Sequence, residues 1–172
     1  MKKLTLIIIV LCATFCPGKT SAQTLLSEEQ FREYFIQHRD SLNMIEGIWS
    51  VSTSQEYYRY DTLYDIQRIP KSAKVAVMKK DSVYESYNLT GESYDVQFTP
   101  TDVKGVYFYK NFFKETEEFS KAKAVISKEG EMEYGYDIPE KLMRKKLGDS
   151  YEEGTRVVNQ TKWTKIFPDK KK

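Results

Sequence analysis

The stretch from Ile45 to Ser54 reads Ile-Glu-Gly-Ile-Trp-Ser-Val-Ser-Thr-Ser and decides how the rest of the chain is placed. It begins with a Gly-x-Trp triplet and continues with residues that favour β-strands. Side chains alternate between the two faces of a strand, so Trp49 and Val51 share one face. Gly47 leaves room for another chain or ring to approach closely. We therefore predict that this stretch is the first strand of a sheet.

A helix is predicted immediately before this strand. Ser27 and Gln30 form a capping box, whose side chains satisfy the first free backbone N–H groups of a helix. Apolar and aromatic residues then recur at helical spacing. Because this stripe runs directly into the strand, we expect the helix to plug or flank one end of the sheet, and we expect the single histidine to pack on it. The stripe consists of Phe31, Tyr34, Phe35, His38 and Leu42.

Residues 1–22 have the layout of a secretory signal peptide. Two lysines precede an apolar run, and Thr20-Ser21-Ala22 supplies the small residues of a cleavage site. We expect export to the periplasm or the medium, with outer-membrane association as an open alternative, and a mature chain that starts near Gln23. Both cysteines, Cys12 and Cys16, would be removed, and each follows a bulky residue that disfavours lipidation there. Residues 23–172 then form one domain.

The charge of the predicted mature chain argues against a nucleic-acid partner. The whole chain has 27 basic and 25 acidic residues, and the leader takes away three lysines and no acid. The remaining lysines are spread along the chain, so they make no basic stripe. The leader's apolar run is too short to cross a bilayer, so we also expect no integral membrane span.

Most of the chain after Ser54 consists of short strand-like segments. Strict alternation is clearest at Tyr94, Val96 and Phe98, and proline before a basic segment that ends at Gly148 indicates one short helix. These segments favour a mainly β protein, either an antiparallel up-and-down barrel of about 8–10 strands or a sandwich. The predicted strands are 56–69, 73–79, 83–90, 94–99, 105–113, 119–127, 132–137 and 155–167, the last pairing with the first.

The helix that leads into Gly47-Ile48-Trp49, followed by a meander of strands, resembles the lipocalin and wider calycin families. The resemblance implies a barrel whose closed end contains the tryptophan, packed on a basic side chain from the last strand. Gly47, Trp49 and Trp163 are then the barrel-closing residues. Three basic residues of the last strand are candidates for that contact, and the sequence does not choose between Arg156, Lys162 and Lys165.

Three segments are also similar to those of uncharacterised secreted bacterial proteins of similar length. They are 45–49, 73–77 and 163–168. This second resemblance implies export but no activity.

Tyrosines on the predicted strands are the candidate ligand-binding residues. The chain has 13 tyrosines, and alternate strand positions must face either the barrel interior or the outside. They either pack the core or line a cavity with rings and a few hydroxyl groups, as barrel mouths often do. The candidates for the barrel interior are Tyr58, Tyr60, Tyr107, Tyr109, Tyr134 and Tyr136.

Catalytic and metal chemistry has few residues to draw on. Without a cysteine in the mature chain or a second histidine, the usual nucleophile–histidine pairs and zinc sites are excluded, and we expect no metal or cofactor. Carboxylates in the segments 115–118 and 152–153 read as solvated turns.

Three functions remain open. The first is an exported lipocalin-like protein, not an enzyme, that binds a small and mainly apolar molecule. The second is an envelope or secreted protein-interaction module with a filled barrel, whose partner the sequence does not identify. The third is a hydrolase that uses carboxylates.

Overall fold

A computed structural model describes residues 27–69 and 73–168. The predicted leader, both cysteines and the expected mature start at Gln23 lie outside the described residues. The described part contains two helices, nine strands and one short 3-10 turn. They are α1 (Glu28–Gln37), β1 (Gly47–Arg59), β2 (Thr62–Arg68), β3 (Ala73–Lys80), β4 (Val83–Asn88), β5 (Ser93–Pro100), β6 (Val106–Phe113), β7 (Glu118–Ile126), β8 (Glu131–Asp137), α2 (Glu140–Leu147), the 3-10 turn (Gly148–Ser150) and β9 (Thr155–Phe167).

Eight of these strands form a closed antiparallel barrel. Consecutive strands pair from β3 to β9, and β9 pairs with β1, as predicted for the last and first strands. The first half of β1 pairs with β3, which completes the ring. The mainly β, up-and-down prediction is confirmed, and the closed eight-stranded barrel fits a lipocalin-like fold. Among the described strands, β2 pairs only with the second half of β1 and lies outside the ring.

The inward-facing residues of the barrel form one buried cluster. On β6, Tyr107 and Tyr109 are buried while Phe108 between them is 52% exposed, as the alternation predicted. The buried members of the cluster are Ile45, Trp49, Val51, Val75, Val77, Tyr84, Val96, Phe98, Tyr107, Tyr109, Ala124, Ile126, Met132, Tyr134 and Trp163.

Helix α1 lies on the outside of the barrel wall, which corrects the expectation that it would sit at one end of the sheet. Its buried residues, Phe31 and Phe35, pack with Ile48 and Ala76 in a second cluster, separate from the interior. Ile48 lies between Trp49 and the glycine of the triplet, so its side chain must point outward when the tryptophan points inward. The helix therefore covers an outward apolar patch of β1 and β3.

His38 does not belong to that patch, contrary to the prediction. It is exposed at the C-terminal cap of α1, where its ring stacks on Tyr34 with 4.2 Å between centroids. Its Nδ1 lies 2.8 Å from the Tyr34 backbone oxygen. His38 leaves the apolar stripe because the helix ends at Gln37, whereas Leu42 beyond the helix still packs against the second cluster.

The two ends of the barrel are different. At the lower end, where β1 begins, the segment before β1 meets the β5–β6 turn, and Met44 Sδ lies 3.5 Å from the Cβ position of Gly105. At the upper end, where β1 finishes, the connection from β8 to β9 contains the short helix α2 that proline and Gly148 predicted. Leu142 and Met143 of α2 are buried. Lys141 Nζ donates to the Thr116 carbonyl in the β6–β7 turn at 3.4 Å, so α2 spans part of this end.

Strands β7 and β8 share a short boundary, which we name the β7–β8 seam. Only Val125 with Glu133 and Ile126 with Met132 are paired residues, fewer than the predicted hairpin implied. Near the upper end, the hydroxyl of Ser120 donates to a backbone carbonyl of β8. Strands β7 and β8 are therefore joined near both ends of the seam, and the residues between those points are not paired across it.

Neither helix within the described residues has the length and apolar character needed to cross a bilayer.

Candidate functional site

Trp49 is buried at the lower end of the barrel and contacts a basic residue of β9. Its Nε1 donates to the Ile45 carbonyl at 2.8 Å. The Lys165 ammonium lies 5.0 Å from the centre of the Trp49 ring and donates to the carbonyls of Met44 at 2.6 Å and Glu46 at 2.8 Å. Of the three basic candidates, Lys165 therefore makes the contact that the lipocalin resemblance implied.

The other two candidates lie on the outer face. Lys162 pairs with Glu131 at 2.9 Å and with Glu133 at 3.2 Å. Arg156 Nε donates to the Asp137 carboxylate at 2.6 Å. Position parity separates them, since only Lys165 is an even number of residues from the inward-facing Trp163.

Burial changes the proton affinity of Lys165. Removal of the ammonium from water lowers its pKa to about 8, and the nearby Glu46 carboxylate acts in the opposite direction. The two carbonyl acceptors satisfy the ammonium when it is charged. The lower end therefore contains a lysine that titrates close to physiological pH.

Gly47 is required by the close approach of β9. A Cβ at this position would lie 2.2 Å from the Phe167 carbonyl oxygen, and the backbone φ is +140°, which L side chains rarely adopt. The glycine of the triplet thus lets the end of the last strand cross the start of the first.

Four of the six candidate tyrosines lie in the interior or at its edge, and three of them are in contact. We name these three, Tyr109, Tyr134 and Tyr136, the tyrosine cluster. The Tyr109 ring is 4.3 Å from Tyr134 and 5.0 Å from Tyr136, centroid to centroid. Tyr107 is buried separately, edge-on to Tyr84 at 5.7 Å. The neighbouring rings of the cluster include Tyr94, Phe98 and Trp163.

Tyr58 and Tyr60 are outside the interior, which corrects their place among the candidates. Tyr60 is 71% exposed and forms the β1–β2 turn with Asp61, both with positive φ. Tyr58 lies on the outer face, where its hydroxyl donates to Glu56 at 2.8 Å. The predicted strand 56–69 is in fact the end of β1, this turn and β2. No glycine or proline marks the turn in the sequence.

The deepest tyrosines are neutral groups in this environment. Burial raises the pKa of Tyr109 and that of Tyr134 far above the usual value, and the neighbouring Tyr136 acts in the same direction on both. Both hydroxyl groups therefore remain protonated and are able to donate and to accept hydrogen bonds.

A polar row, which the sequence did not reveal, leads from the upper end to the tyrosine cluster. The Tyr57 hydroxyl donates to Gln55 at 3.0 Å, and Gln55 Nε2 donates to Asn159 at 3.0 Å. Asn159 Nδ2 then donates to the Tyr136 hydroxyl at 2.9 Å. Asn159 and the inward-facing Trp163 are an even number of residues apart on β9, so their side chains lie on the same face. This alternation is the sequence signal that could have identified the row.

Three buried polar atoms of inward-facing residues have no hydrogen-bond partner among the described residues. They are the Ser86 hydroxyl, the Thr161 hydroxyl and the indole Nε1 of Trp163. The side chains of Thr161 and Trp163 are adjacent on one face of β9. Buried polar atoms are almost always hydrogen-bonded. Water or another molecule would supply the partners of the two hydroxyl groups, and the Trp163 N–H lies near the Tyr134 hydroxyl as well.

The outer face of β6 and β7 carries an aromatic and basic patch. Lys110 lies directly opposite Lys121 in the sheet, and neither lysine forms an ion pair within the described part of the chain. Like charges that face each other across strands are destabilising. Lys110 Nζ lies 3.8 Å from the Phe119 ring centre. Seven outward-facing residues of these two strands make up what we name the basic–aromatic patch. They are Phe108, Lys110, Phe112, Phe119, Lys121, Lys123 and Val125.

One predicted acidic residue lies near another carboxylate. Glu118 and Asp137 line the same depression of about 420 Å³ at the upper end of the β7–β8 seam. Arg156 neutralises Asp137, and Glu152 of the other acidic segment pairs with Arg59 at 2.7 Å. Over residues 27–69 and 73–168, no group of three histidine, cysteine, aspartate or glutamate side chains is placed to hold a metal ion.

The chain matches no protein-family model, no curated protein and no solved structure with which it was compared.

Proposed function

We propose that this chain is an exported lipocalin-like protein that binds a small, mainly apolar molecule inside its barrel. The observation that carries the proposal is the buried indole N–H of Trp163, which lies among aromatic rings and near the Tyr134 hydroxyl but completes no hydrogen bond in the described part of the chain. Phe98 lies edge-on to Trp163 at 5.5 Å and Tyr134 lies 6.3 Å away. A bound molecule with one acceptor atom and an apolar body would accept a hydrogen bond from the indole N–H and would exclude water from the aromatic rings.

The interior favours a neutral ligand. The tyrosines around Trp163 are protonated, and the Lys165 ammonium at the lower end is already bound by two backbone carbonyls. A charged molecule would lose its hydration there without gaining a counter-charge. The ligand class that fits is a neutral molecule with an aromatic or aliphatic body and one carbonyl, ether or hydroxyl oxygen.

The two ends of the barrel are packed differently, and this difference favours ligand entry from the upper end. The lower end is held by the Trp49 and Lys165 contacts, whereas the upper end presents the polar row and α2. Eight-stranded barrels have an interior just wide enough for side chains or for one small ligand. Binding would therefore displace α2 and reorient Tyr136, whose side chain is at the border of the interior.

A fluorescence titration tests this function. Prodan, a neutral naphthalene with one carbonyl acceptor and polarity-sensitive emission, should bind saturably with a blue shift. Trp163→Phe keeps an aromatic ring but removes the N–H, so it should weaken binding roughly fivefold, the value of one hydrogen bond. Tyr60→Phe changes an exposed ring outside the barrel and should leave binding unchanged.

The absence of saturable binding by a protein whose circular dichroism shows an intact β-structure would reject the proposal. Equal affinity of the wild type and Trp163→Phe would reject the role of the indole. Mass spectrometry under native conditions on protein purified from its own host adds a direct search for a neutral molecule of low mass that co-purifies.

The basic–aromatic patch supports a second candidate, a protein-interaction module whose barrel takes no ligand. Two facing lysines that lack acidic partners are stabilised when an acidic partner surface neutralises them. The partner would be a protein with carboxylates beside an apolar contact area. Binding should weaken with salt and be lost in Lys110→Glu with Lys121→Glu. The same charge change at Lys145 and Lys146 on α2 should have no effect.

A further inference from the structure

A cleft opens at the lower end of the barrel, opposite the proposed entry for the neutral ligand. It lies between the segment that precedes β1 and the turn from β5 to β6, and its volume is about 470 Å³. We name this opening, lined by residues 42–44, 84, 100–101 and 103–107, the lower cleft. Its walls carry apolar side chains from both sides, among them Leu42, Met44 and Val103. A cleft of this volume takes one small molecule.

Tyr107 lines the lower cleft and has a hydroxyl group without a partner. The residue is only 4% exposed, and no group among the described residues forms a hydrogen bond with its hydroxyl. The neighbouring phenol differs, because the Tyr84 hydroxyl lies near the Asn43 side chain. Buried polar atoms are almost always hydrogen-bonded. Water or another molecule in the lower cleft must therefore supply the partner of the Tyr107 hydroxyl.

The Tyr107 hydroxyl is available as a donor. Burial, with further contributions from Tyr84 and the Glu46 carboxylate, raises the pKa of Tyr107 to about 12. The phenol is therefore protonated at neutral pH and has one hydrogen to donate. Hydrogen bonds of this kind are strongest when the acceptor is ionised, as a carboxylate is.

The charge on the lining of the lower cleft is positive. Lys104 is the only charged residue among the described lining residues. It is exposed on the β5–β6 turn and forms no ion pair within residues 27–69 and 73–168. The buried Glu46 carboxylate is outside this lining and accepts the backbone N–H groups of Asn43 at 2.8 Å and Lys79 at 3.3 Å. A phenol and an ammonium between apolar walls favour an organic anion over a cation.

We propose that the lower cleft binds a small organic carboxylate, held by the Tyr107 hydroxyl and the Lys104 ammonium, with its apolar body against Met44 and Val103. Val103 is 58% exposed in the chain alone, so the ligand body would cover an apolar side chain. The rim position of Lys104 lets the carboxylate keep part of its hydration. This site takes an anion, whereas the barrel interior takes a neutral molecule, so the two sites are separate.

Titration calorimetry with hydrocinnamate, an aromatic carboxylate, tests the lower cleft. The wild type should bind it saturably, and the neutral hydrocinnamide should bind roughly tenfold more weakly. Tyr107→Phe keeps the ring and should weaken hydrocinnamate binding about tenfold, the value of one hydrogen bond to a charged acceptor. Lys104→Gln should weaken it about threefold, as an exposed ion pair would. Lys128→Gln, at an exposed lysine of the β7–β8 turn, should leave the affinity unchanged.

Each outcome decides the proposal. A folded wild type that binds no hydrocinnamate overturns it, and water then satisfies the Tyr107 hydroxyl. Equal affinities for the acid and the amide overturn the choice of an anion, and an unchanged affinity in Tyr107→Phe overturns the site. Because the Tyr107 hydroxyl has no partner in the described chain, this variant should keep the melting temperature of the wild type.

Trp163→Phe separates the lower cleft from the barrel interior. It should leave hydrocinnamate binding unchanged, because the indole of Trp163 belongs to the proposed interior site. Prodan should likewise not compete with hydrocinnamate. Competition between the two probes, or a loss of hydrocinnamate binding in Trp163→Phe, would place the carboxylate in the interior and overturn a separate site. A protein that binds hydrocinnamate but not Prodan would retain the lower cleft and reject only the interior function.

Discussion

The Lys165 ammonium lies 5.0 Å from the centre of the Trp49 ring and bonds two carbonyls of the segment that precedes β1. Trp49 and Lys165 are also direct cross-strand neighbours in the β1–β9 pairing. One side chain therefore ties the last strand to the first strand and to the turn before it. The lower end is held by a buried charge, not by apolar packing alone.

Replacement of Trp49 tests how much the lower end of the barrel contributes to the stability of the fold. Trp49→Ala removes a fully buried ring and should lower the free energy of unfolding by about 3 to 5 kcal/mol. Chemical denaturation measures the loss, and Phe108→Ala, which removes a ring from the outer face, should cost far less. Prodan affinity of the protein that remains folded should change little, since the ligand enters from the upper end. Preserved stability with lost binding would instead place Trp49 in the ligand site.

The stability contributed by Lys165 should depend on pH. Its pKa is lowered to about 8 in the folded chain, so between that pH and its usual pKa of 10.5 the unfolded chain holds the proton and the folded chain does not. Stability then rises with pH. From about pH 7 to 9.5, the wild type should gain on the order of 2 kcal/mol relative to Lys165→Met. Urea unfolding at a series of pH values measures this gain, with Lys162→Met as the surface control. Parallel plots of unfolding free energy against pH for the wild type and Lys165→Met would contradict the prediction.

Alkaline conditions should destabilise the barrel through its interior tyrosines. Burial raises the pKa of Tyr109 and of Tyr134, so above about pH 10 the unfolded chain ionises at these positions while the folded chain stays protonated. Stability is fully present below that pH and falls above it. Tyr109→Phe removes one of these groups and should show a shallower fall in urea unfolding between about pH 10 and 11. Identical slopes would show that Tyr109 ionises in the folded chain.

Export should remove the first 22 residues. The prediction follows from the lysines, the apolar run and the small residues that end at Ala22. Mass spectrometry of protein recovered from the periplasm or the medium should give a chain that begins at Gln23. An intact Met1 in that fraction would contradict the prediction.

The interior of the central strands was predictable because burial on one face enforces a period of two. Tyr107 and Tyr109 were assigned correctly from their alternation with Val106 and Phe108. Tyr58 and Tyr60 were misplaced because a new strand was predicted to begin at residue 56, whereas β1 continues to Arg59. Alternation counted from Trp49 along this longer strand puts Tyr58 on the outer face, where the structure has it.

The position of α1 and the role of Lys165 depended on long-range geometry. A helical stripe shows which face is apolar but not whether that face meets the end or the wall of a barrel. Ile48 held the missing clue, since an apolar residue next to an inward Trp49 must be covered from outside. Lys165 could have been chosen by its parity with Trp163, but the pairing of β1 with β9 shifts register next to Trp49, where Ile166 of β9 is an extra residue that the sequence does not reveal.

The β7–β8 seam makes the barrel mechanically uneven. Its two residue pairs contrast with the twelve that join β1 to β9. Local opening of the barrel wall by thermal motion should therefore be concentrated along the β7–β8 seam. Amide hydrogens beside that line should exchange with solvent before those of β1 and β9. Tyr134 is an inward-facing residue of β8 beside this line, so a transient opening there would expose its ring to solvent while the rest of the barrel stays folded.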